Sequence, residues 1–210
     1  MSLKENLKWR YAVKLFDSAY KVTSADITYL QSCIQLSASS YGLQPYKILR
    51  IQNSEVRAIL RPASWNQPQI TDASELFVFC NYASVQDAHI DKMAKAKGEK
   101  QGMDAAKIEG YTHFMKSKIG ALSADEQNNW TAKQAYIALG NALAACAELG
   151  LDSCPIEGFE RSEYNRILQL DEKGLNACVI LAVGKRSEAD LTSKAPKYRK
   201  ETKALFEVCD

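Results

Sequence analysis

Residues 123–159, SADEQNNWTAKQAYIALGNALAACAELGLDSCPIEGF, set the architecture. Ser123-Ala124-Asp125-Glu126 forms a capping box: the serine takes an orphan backbone N–H, and the carboxylate three residues on reaches back to the cap. It opens a long helix through Trp130, Gln134, Tyr136, Leu139, Leu143 and Cys146 to Leu149, with Gly150 placed at C′. From Ala135 to Ala147 the side chains are mostly small and apolar on every face. Such a helix belongs in a core or at a subunit interface. Cys154 to Phe159 (CPIEGF) reads as a tight loop.

Working outward, a short helix is expected over about 162–168. Asn176 to Val183 (NACVILAV) is an unbroken apolar run of strand length, as is Leu76-Phe77-Val78-Phe79-Cys80; both suit strands covered on two faces. Between them and the long helix lies a hydrophilic stretch, about 84–122, with Lys92, Lys95, Lys97, Lys100 and Lys107. It reads as a solvated helical excursion, or as a flap carrying Tyr111 or Phe114. Upstream come a polar loop at 64–69, a short helix at 54–61, a strand from Tyr46 to Gln52 and a turn-rich Ser39–Pro45. Thr23-Ser24-Ala25-Asp26 caps a helix with an apolar stripe of Ile27, Leu30, Ile34 and Leu36. Residues 1–17 read as a basic helix, which would put Arg10 and Lys14 one turn apart on one face. The sum is an α+β layer fold with about three strands, one domain over 1–210.

Composition excludes several functions. The 210 residues are 46% hydrophobic and 25% charged, the profile of a globular protein. Lys and Arg (27) nearly balance Asp and Glu (25), so no strong field recruits nucleic acid or anionic membrane. No apolar run approaches a membrane span, and the first residues lack a signal-peptide stretch, which points to the cytoplasm. No two of the six cysteines have zinc-ribbon or thioredoxin spacing, and most lie in apolar segments, as core thiols do. His89 and His113 are expected at the surface, which disfavours histidine-based metal or triad chemistry. No metal site is expected. No G-x-G occurs, so the common nucleotide loops are absent.

What remains is a set of cations and exposed loops: Arg10 and Lys14, the tail Lys197-Tyr198-Arg199, and the polar loops 39–45, 64–69 and 154–158. Cations with free backbone amides suit a phosphorylated planar ligand, because arginine offers phosphate a bidentate fork. Six segments extend this. RYAVKLFD (10–17), SASSYGLQPY (37–46), WNQPQITDAS (65–74), AKQAYIALGN (132–141), GLDSCPIEGF (150–159) and PKYRK (196–200) follow one another as in the flavin-dependent nitroreductase family. Over nearly its whole length the chain resembles that family, near its oxygen-insensitive NAD(P)H nitroreductase and dihydropteridine reductase branch.

The resemblance implies a three-layer sandwich, with a central, mostly antiparallel sheet, helices on both faces and a long core helix. It implies a homodimer with two tightly bound FMN molecules at the interface. Arg10, Lys197 and Arg199 would hold the FMN phosphate, and Lys14 the pyrimidine edge, where negative charge develops on reduction. Asn66 would bond the ring or ribityl chain. Gln69 and Gln134 would also approach the cofactor. Pro155, Ile156, Glu157 and Gly158 would run along one ring face, with the Glu157 backbone N–H at flavin N5. Ala38, Ser39, Ser40 and Gly42 of the partner subunit would close the site. No catalytic side chain is expected: N5 would carry hydride from NAD(P)H to a nitroaromatic, quinone or pterin in a ping-pong cycle. The alternatives are a flavin reductase, a dehalogenase-like member and a non-catalytic flavin-binding protein. Three positions depart from the family: Ala12 for a serine, Gly42 for an asparagine and Gln69 for a lysine.

Overall fold

The structure, a computed structural model, describes residues 2–209. Four strands form an antiparallel sheet in the order β1-β2-β4-β3: β1 (Tyr46–Arg50), β2 (Glu75–Tyr82), β3 (Asp152–Ile156) and β4 (Leu175–Gly184). The central pair is buried on both faces, as its continuous apolar runs require. Alternation assigns the faces. Leu76, Val78, Ile180 and Ala182 meet α3 (Ser54–Leu60), α4 (Gln69–Asp72) and α8 (Arg161–Leu168) on one side. Phe77, Phe79, Val179 and Leu181 meet α2 (Ser24–Gln35) and α7 (Ala124–Glu148) on the other. The result is helix, sheet, helix, as expected. The β2/β4 register shifts at Phe79/Cys80, where the extra β4 residue is Cys178.

The capping box closes as read: Ser123 and Glu126 exchange bonds at the start of α7, which ends at Leu149 with Gly150 at φ +67°. The hydrophilic middle is a pair of packed helices, α5 (Asp87–Gln101) and α6 (Ala105–Gly120), around Ile90, Ala94, Met115 and Ile119. His113 is exposed, whereas His89 is half-buried against Tyr82, its Nδ1 accepting from the Gln86 N–H. Cys80, Cys146, Cys154 and Cys178 are buried, and burial pushes Cys80 and Cys146 up to about 12 and Cys178 to about 11.

Two local expectations are corrected. First, the basic helix at the start is only α1 (Leu3–Trp9); Arg10 is extended, with ψ 143°. Residues 10–13 instead run beside β3, with Ala12 bridged in parallel to Ser153, so Arg10 and Lys14 do not share a helical face. Arg186 explains the break. Its guanidinium forks onto Asp152 at 2.6–3.0 Å and lies over the rings of Trp9 and Tyr11, drawing the segment onto the sheet. Second, Cys154, Pro155 and Ile156 belong to strand β3 rather than to a loop, which brings the strand count to four. Proline lacks an N–H for a ladder, and β3 tolerates it because it lies at the sheet edge.

Candidate functional site

The N-terminal segment, β3 and the basic tail meet at one end of the sheet. Arg10 is half-buried; its Nε is enclosed without a partner, and its guanidinium donates to no described residue. Burial, and next the charge of Arg199, lower its proton affinity. Burial, then Arg199 and Arg10, do the same to Lys197. Three cations thus repel one another. Among the described residues no carboxylate lies within salt-bridge range of Arg10, Lys14, Lys197 or Arg199. A groove of about 450 Å³ runs beside Lys197 and Arg199, lined also by Ala12, Thr192 and Pro196. Uncompensated cations beside an open groove are what a phosphate would satisfy.

Lys197 differs in one respect from the expectation. Its ammonium donates to the carbonyls of Leu7 (3.0 Å), Lys8 (2.6 Å) and Arg10. All three donors are spent on the C-terminal end of α1, where a cation also meets the helix dipole. It therefore offers a phosphate charge but no free hydrogen bond in this arrangement.

Asp190, which the sequence reading passed over, holds this segment in place. It is 2% exposed. Its Oδ2 accepts from the backbone N–H of Lys14 (2.8 Å) and Leu15 (3.2 Å) and from the Tyr11 hydroxyl (3.3 Å). Its Oδ1 accepts from Thr192 N–H at 3.0 Å and from the Thr192 hydroxyl. Burial alone would raise its pKa, but bonds from Thr192, Lys14 and Leu15 outweigh it and lower the pKa to about 2. Its backbone partners lie 175 and 176 residues upstream, beyond the reach of any local pattern.

Gln69 is 3% exposed at the start of α4, with Oε1 unpartnered. Burial raises the Cys154 thiol, opposed by Lys14, Gln69 and Arg10, which lie around this part of β3.

Beyond β3 the chain turns through Glu157 and Gly158. Neither backbone N–H finds an acceptor among the described residues. The Glu157 carboxylate instead accepts from the Tyr136 hydroxyl of α7. Gly158 is needed for close approach: a Cβ there would sit 2.7 and 2.8 Å from ring atoms of Trp65. Trp65 and Asn66 are both left-handed, at φ 53° and 56°, and the Gln67 amide donates to the Gly158 carbonyl at 2.8 Å. Trp65 is held by Glu160 at 2.9 Å. This places Asn66, exposed, beside the Gly158 turn. We expect Gly158→Ala to displace the Trp65 ring at a cost of about 1 kcal/mol. Tryptophan fluorescence and urea unfolding measure it, and the cost should vanish in a Trp65→Ala background.

The serine loop lies elsewhere. Ser40 N–H donates to Gln134 Oε1 at 2.8 Å, and Gln134 Nε2 donates back to Trp130 O at 3.1 Å. Both ends of the Gln134 amide are therefore used inside the chain, in holding the loop. Ser39 Oγ accepts from Gln44 N–H at 2.9 Å, and Gly42 sits at φ +72° with open space around it, a conformation asparagine also tolerates. Ala38 precedes this turn and is exposed, between buried Ser37 and half-buried Ser39. Tyr41 packs against Phe114 and Trp130, and the Tyr111 hydroxyl donates to Tyr41 O at 3.1 Å, so the α5–α6 pair docks on this loop. Tyr111 is thereby engaged, whereas Phe114 remains 48% exposed. Gln134 and Cys146, which faces Arg10, are twelve residues apart on α7, about 18 Å. One chain thus brings Arg10, Lys14, Gln69, Pro155, Lys197 and Arg199 to the edge formed by β3, with Asn66, Glu157 and Gly158 just past the end of that strand. It leaves Ser39, Ser40, Gly42 and Gln134 apart.

The sandwich and the cation-lined end define a class, and comparison with known proteins agrees. The nitroreductase family model matches residues 7–185. YfkO of Bacillus subtilis is 36% identical over 190 residues, covering 85% of this chain and 86% of its own. The oxygen-insensitive NAD(P)H nitroreductase of Enterobacter cloacae is 29% identical over 95% and 96% of the two chains. A chain from Exiguobacterium sibiricum solved in complex with FMN shares the fold, with TM-score 0.84 at 17% identity, covering 100% of this chain and 98% of its own. The chain belongs to the nitroreductase family.

Proposed function

We propose that the chain is one FMN-binding domain of a homodimeric oxidoreductase. It takes hydride from NAD(P)H and passes it to an electron-poor acceptor, a nitroaromatic, quinone or pterin, in a ping-pong cycle. The observation that carries this reading is the group of uncompensated cations around Arg10 beside an open groove. The names of two relatives support it: the Enterobacter cloacae enzyme, and the major NAD(P)H-flavin oxidoreductase of Aliivibrio fischeri, 31% identical over 202 residues. The latter name also favours flavin itself as a second acceptor.

The residues present fit FMN. Arg10 and Arg199 would bond its phosphate and Lys197 would add charge, with Lys14 and Gln69 nearer the ring. Pro155, Ile156 and Gly158 would support one ring face, and Asn66 would add a side-chain contact. Bound FMN supplies the hydride acceptor and donor. The chain's part is to bind, to orient and to supply fixed charge. Lys14 is held by its backbone on Asp190, and its side chain stays exposed and free to reach a ligand. The free N–H groups of Glu157 and Gly158 offer fixed donors at the same end of the sheet.

Two observations support a second copy. The loop of Ala38, Ser39, Ser40 and Gly42 is too far along α7 to join the cations of its own chain. Ile137, a large apolar residue, is 45% exposed on the open face of α7. Unpaired cysteines throughout the described residues suit a reducing compartment, the cytoplasm, and no described helix is long and apolar enough to cross a membrane.

The test is the visible spectrum of the purified, dialysed protein. Flavin bands near one chromophore per chain, bleached by NADH or NADPH, are the expected result. A colourless protein that takes up no added FMN overturns the proposal. Steady-state assays with nitroarenes, quinones, pterins and free FMN then separate the acceptors, and parallel initial-rate lines identify the ping-pong cycle.

A further inference from the structure

Tyr136 and Glu157 are the least expected pair in the molecule. Tyr136 lies halfway along α7, half-buried against the sheet. Glu157 lies 21 residues on, just beyond the end of β3, and is exposed. An exposed carboxylate ordinarily has water for a partner. Here it is turned back onto α7 to accept the Tyr136 hydroxyl. The bond is reinforced by its surroundings. Burial, then Glu157, raise the pKa of the phenol, so it stays a donor throughout the physiological range. Arg161, at the start of α8, adds positive charge on the same side, felt by both Tyr136 and Cys178.

The consequence lies in the backbone. β3 stops pairing at Ile156, whose carbonyl belongs to the peptide that carries the Glu157 N–H, and the ladder holds nothing beyond it. The Glu157 carbonyl accepts from Phe159 N–H at 3.0 Å, while the N–H groups of Glu157 and Gly158 remain free. The Gly158 carbonyl is fixed by Gln67 at 2.8 Å. The peptide that carries the Glu157 N–H is thus held at its Ile156 carbonyl by the end of the ladder and, through the Glu157 side chain, by the tether to Tyr136. A donor that is free yet fixed in direction is a preorganised binding group.

We propose that Tyr136 is a positioning residue that, through the Glu157 carboxylate, aims the Glu157 backbone N–H at the ring nitrogen that accepts hydride. This rests on the FMN reading given above. Such a donor favours oxidised FMN, whose N5 is an acceptor, over reduced FMN, whose N5 carries a hydrogen. A tether lost should therefore weaken the two forms unequally.

The experiment uses the full-length holoprotein. Affinities for oxidised and reduced FMN and the two-electron midpoint potential are measured for Tyr136→Phe, Glu157→Ala, Glu157→Gln and the Tyr136→Phe/Glu157→Ala double variant. Thermal unfolding of each apoprotein is the folding control. For Tyr136→Phe and Glu157→Ala we expect oxidised FMN to lose about tenfold in affinity relative to reduced FMN, raising the potential by about 30 mV. Glu157→Gln keeps an acceptor for the phenol and should stay near the parent. The double variant should be no worse than either single one, because both remove the same tether. Equal weakening of both FMN forms, additive effects in the double variant, or an unchanged Tyr136→Phe overturns the inference while leaving FMN binding intact. A parent protein that takes up no FMN overturns the underlying reading, and the inference with it.

Discussion

Arg10→Ala is expected to weaken FMN binding by about 100-fold, the value of a charge-assisted bond of roughly 1.5–3 kcal/mol to a phosphate. The same substitution should leave the apoprotein as stable or more stable. Arg10 carries an enclosed Nε without a partner and is repelled by Arg199, so its removal relieves a cost rather than breaking a bond. Fluorescence titration with FMN and thermal unfolding with and without FMN read the two effects. A loss of apoprotein stability equal to the loss of binding would reassign Arg10 to the scaffold. Arg199→Ala should act in the same direction but less, since Arg199 is exposed and spends one donor on the Tyr198 carbonyl. Lysine at position 10 should rescue only part, because it lacks the planar fork.

Asp190→Ala should cost about 3 kcal/mol and lower the melting temperature by about 10 °C. It leaves the N–H groups of Lys14 and Leu15 and the hydroxyls of Tyr11 and Thr192 without their shared acceptor. Asparagine is a poor substitute, since its amide presents N–H groups to donors. The pH dependence carries a sign. The native pKa is about 2, below the usual 3.8. A depressed carboxylate contributes stability that is fully present above its unfolded value and is lost as pH falls toward the folded one. Urea unfolding should therefore show about 2 kcal/mol disappearing between roughly pH 4 and pH 2 in the parent, and this loss should be absent in Asp190→Asn. Both variants should also lower FMN affinity, because Asp190 fixes the backbone that carries Arg10 and Lys14.

The well-read parts of the chain are those whose bonds are local. The Ser123 and Thr23 caps close over three residues, and α7 and α2 follow them. The runs at 76–80 and 176–183 are strands because apolar residues on both faces demand cover on both. Arg10, Lys197 and Arg199, which the resemblance implied for one site, lie near enough to lower one another's proton affinity.

What failed depended on partners far along the chain. Residues 10–17 have a plausible helical pattern, but Arg186 and Asp190 offer them aromatic stacking and a buried acceptor, and the helix stops at Trp9. Cys154-Pro155-Ile156 reads as a turn because proline and the following glycine break structure locally; the edge of β4 makes it a strand. The hold of the Lys197 ammonium on the carbonyls at the end of α1 was equally invisible in the sequence, because those partners lie 187 to 190 residues away.

By itself, then, the sequence determined the layers and the long helix, because caps, periodicity and residue type act over a few residues. Only the tertiary structure decided which cations stay uncompensated, where the serine loop lies and how the Glu157 peptide is held. Those outcomes depend on which groups, 21 to 190 residues apart, reach a given donor first, and no local pattern encodes that competition.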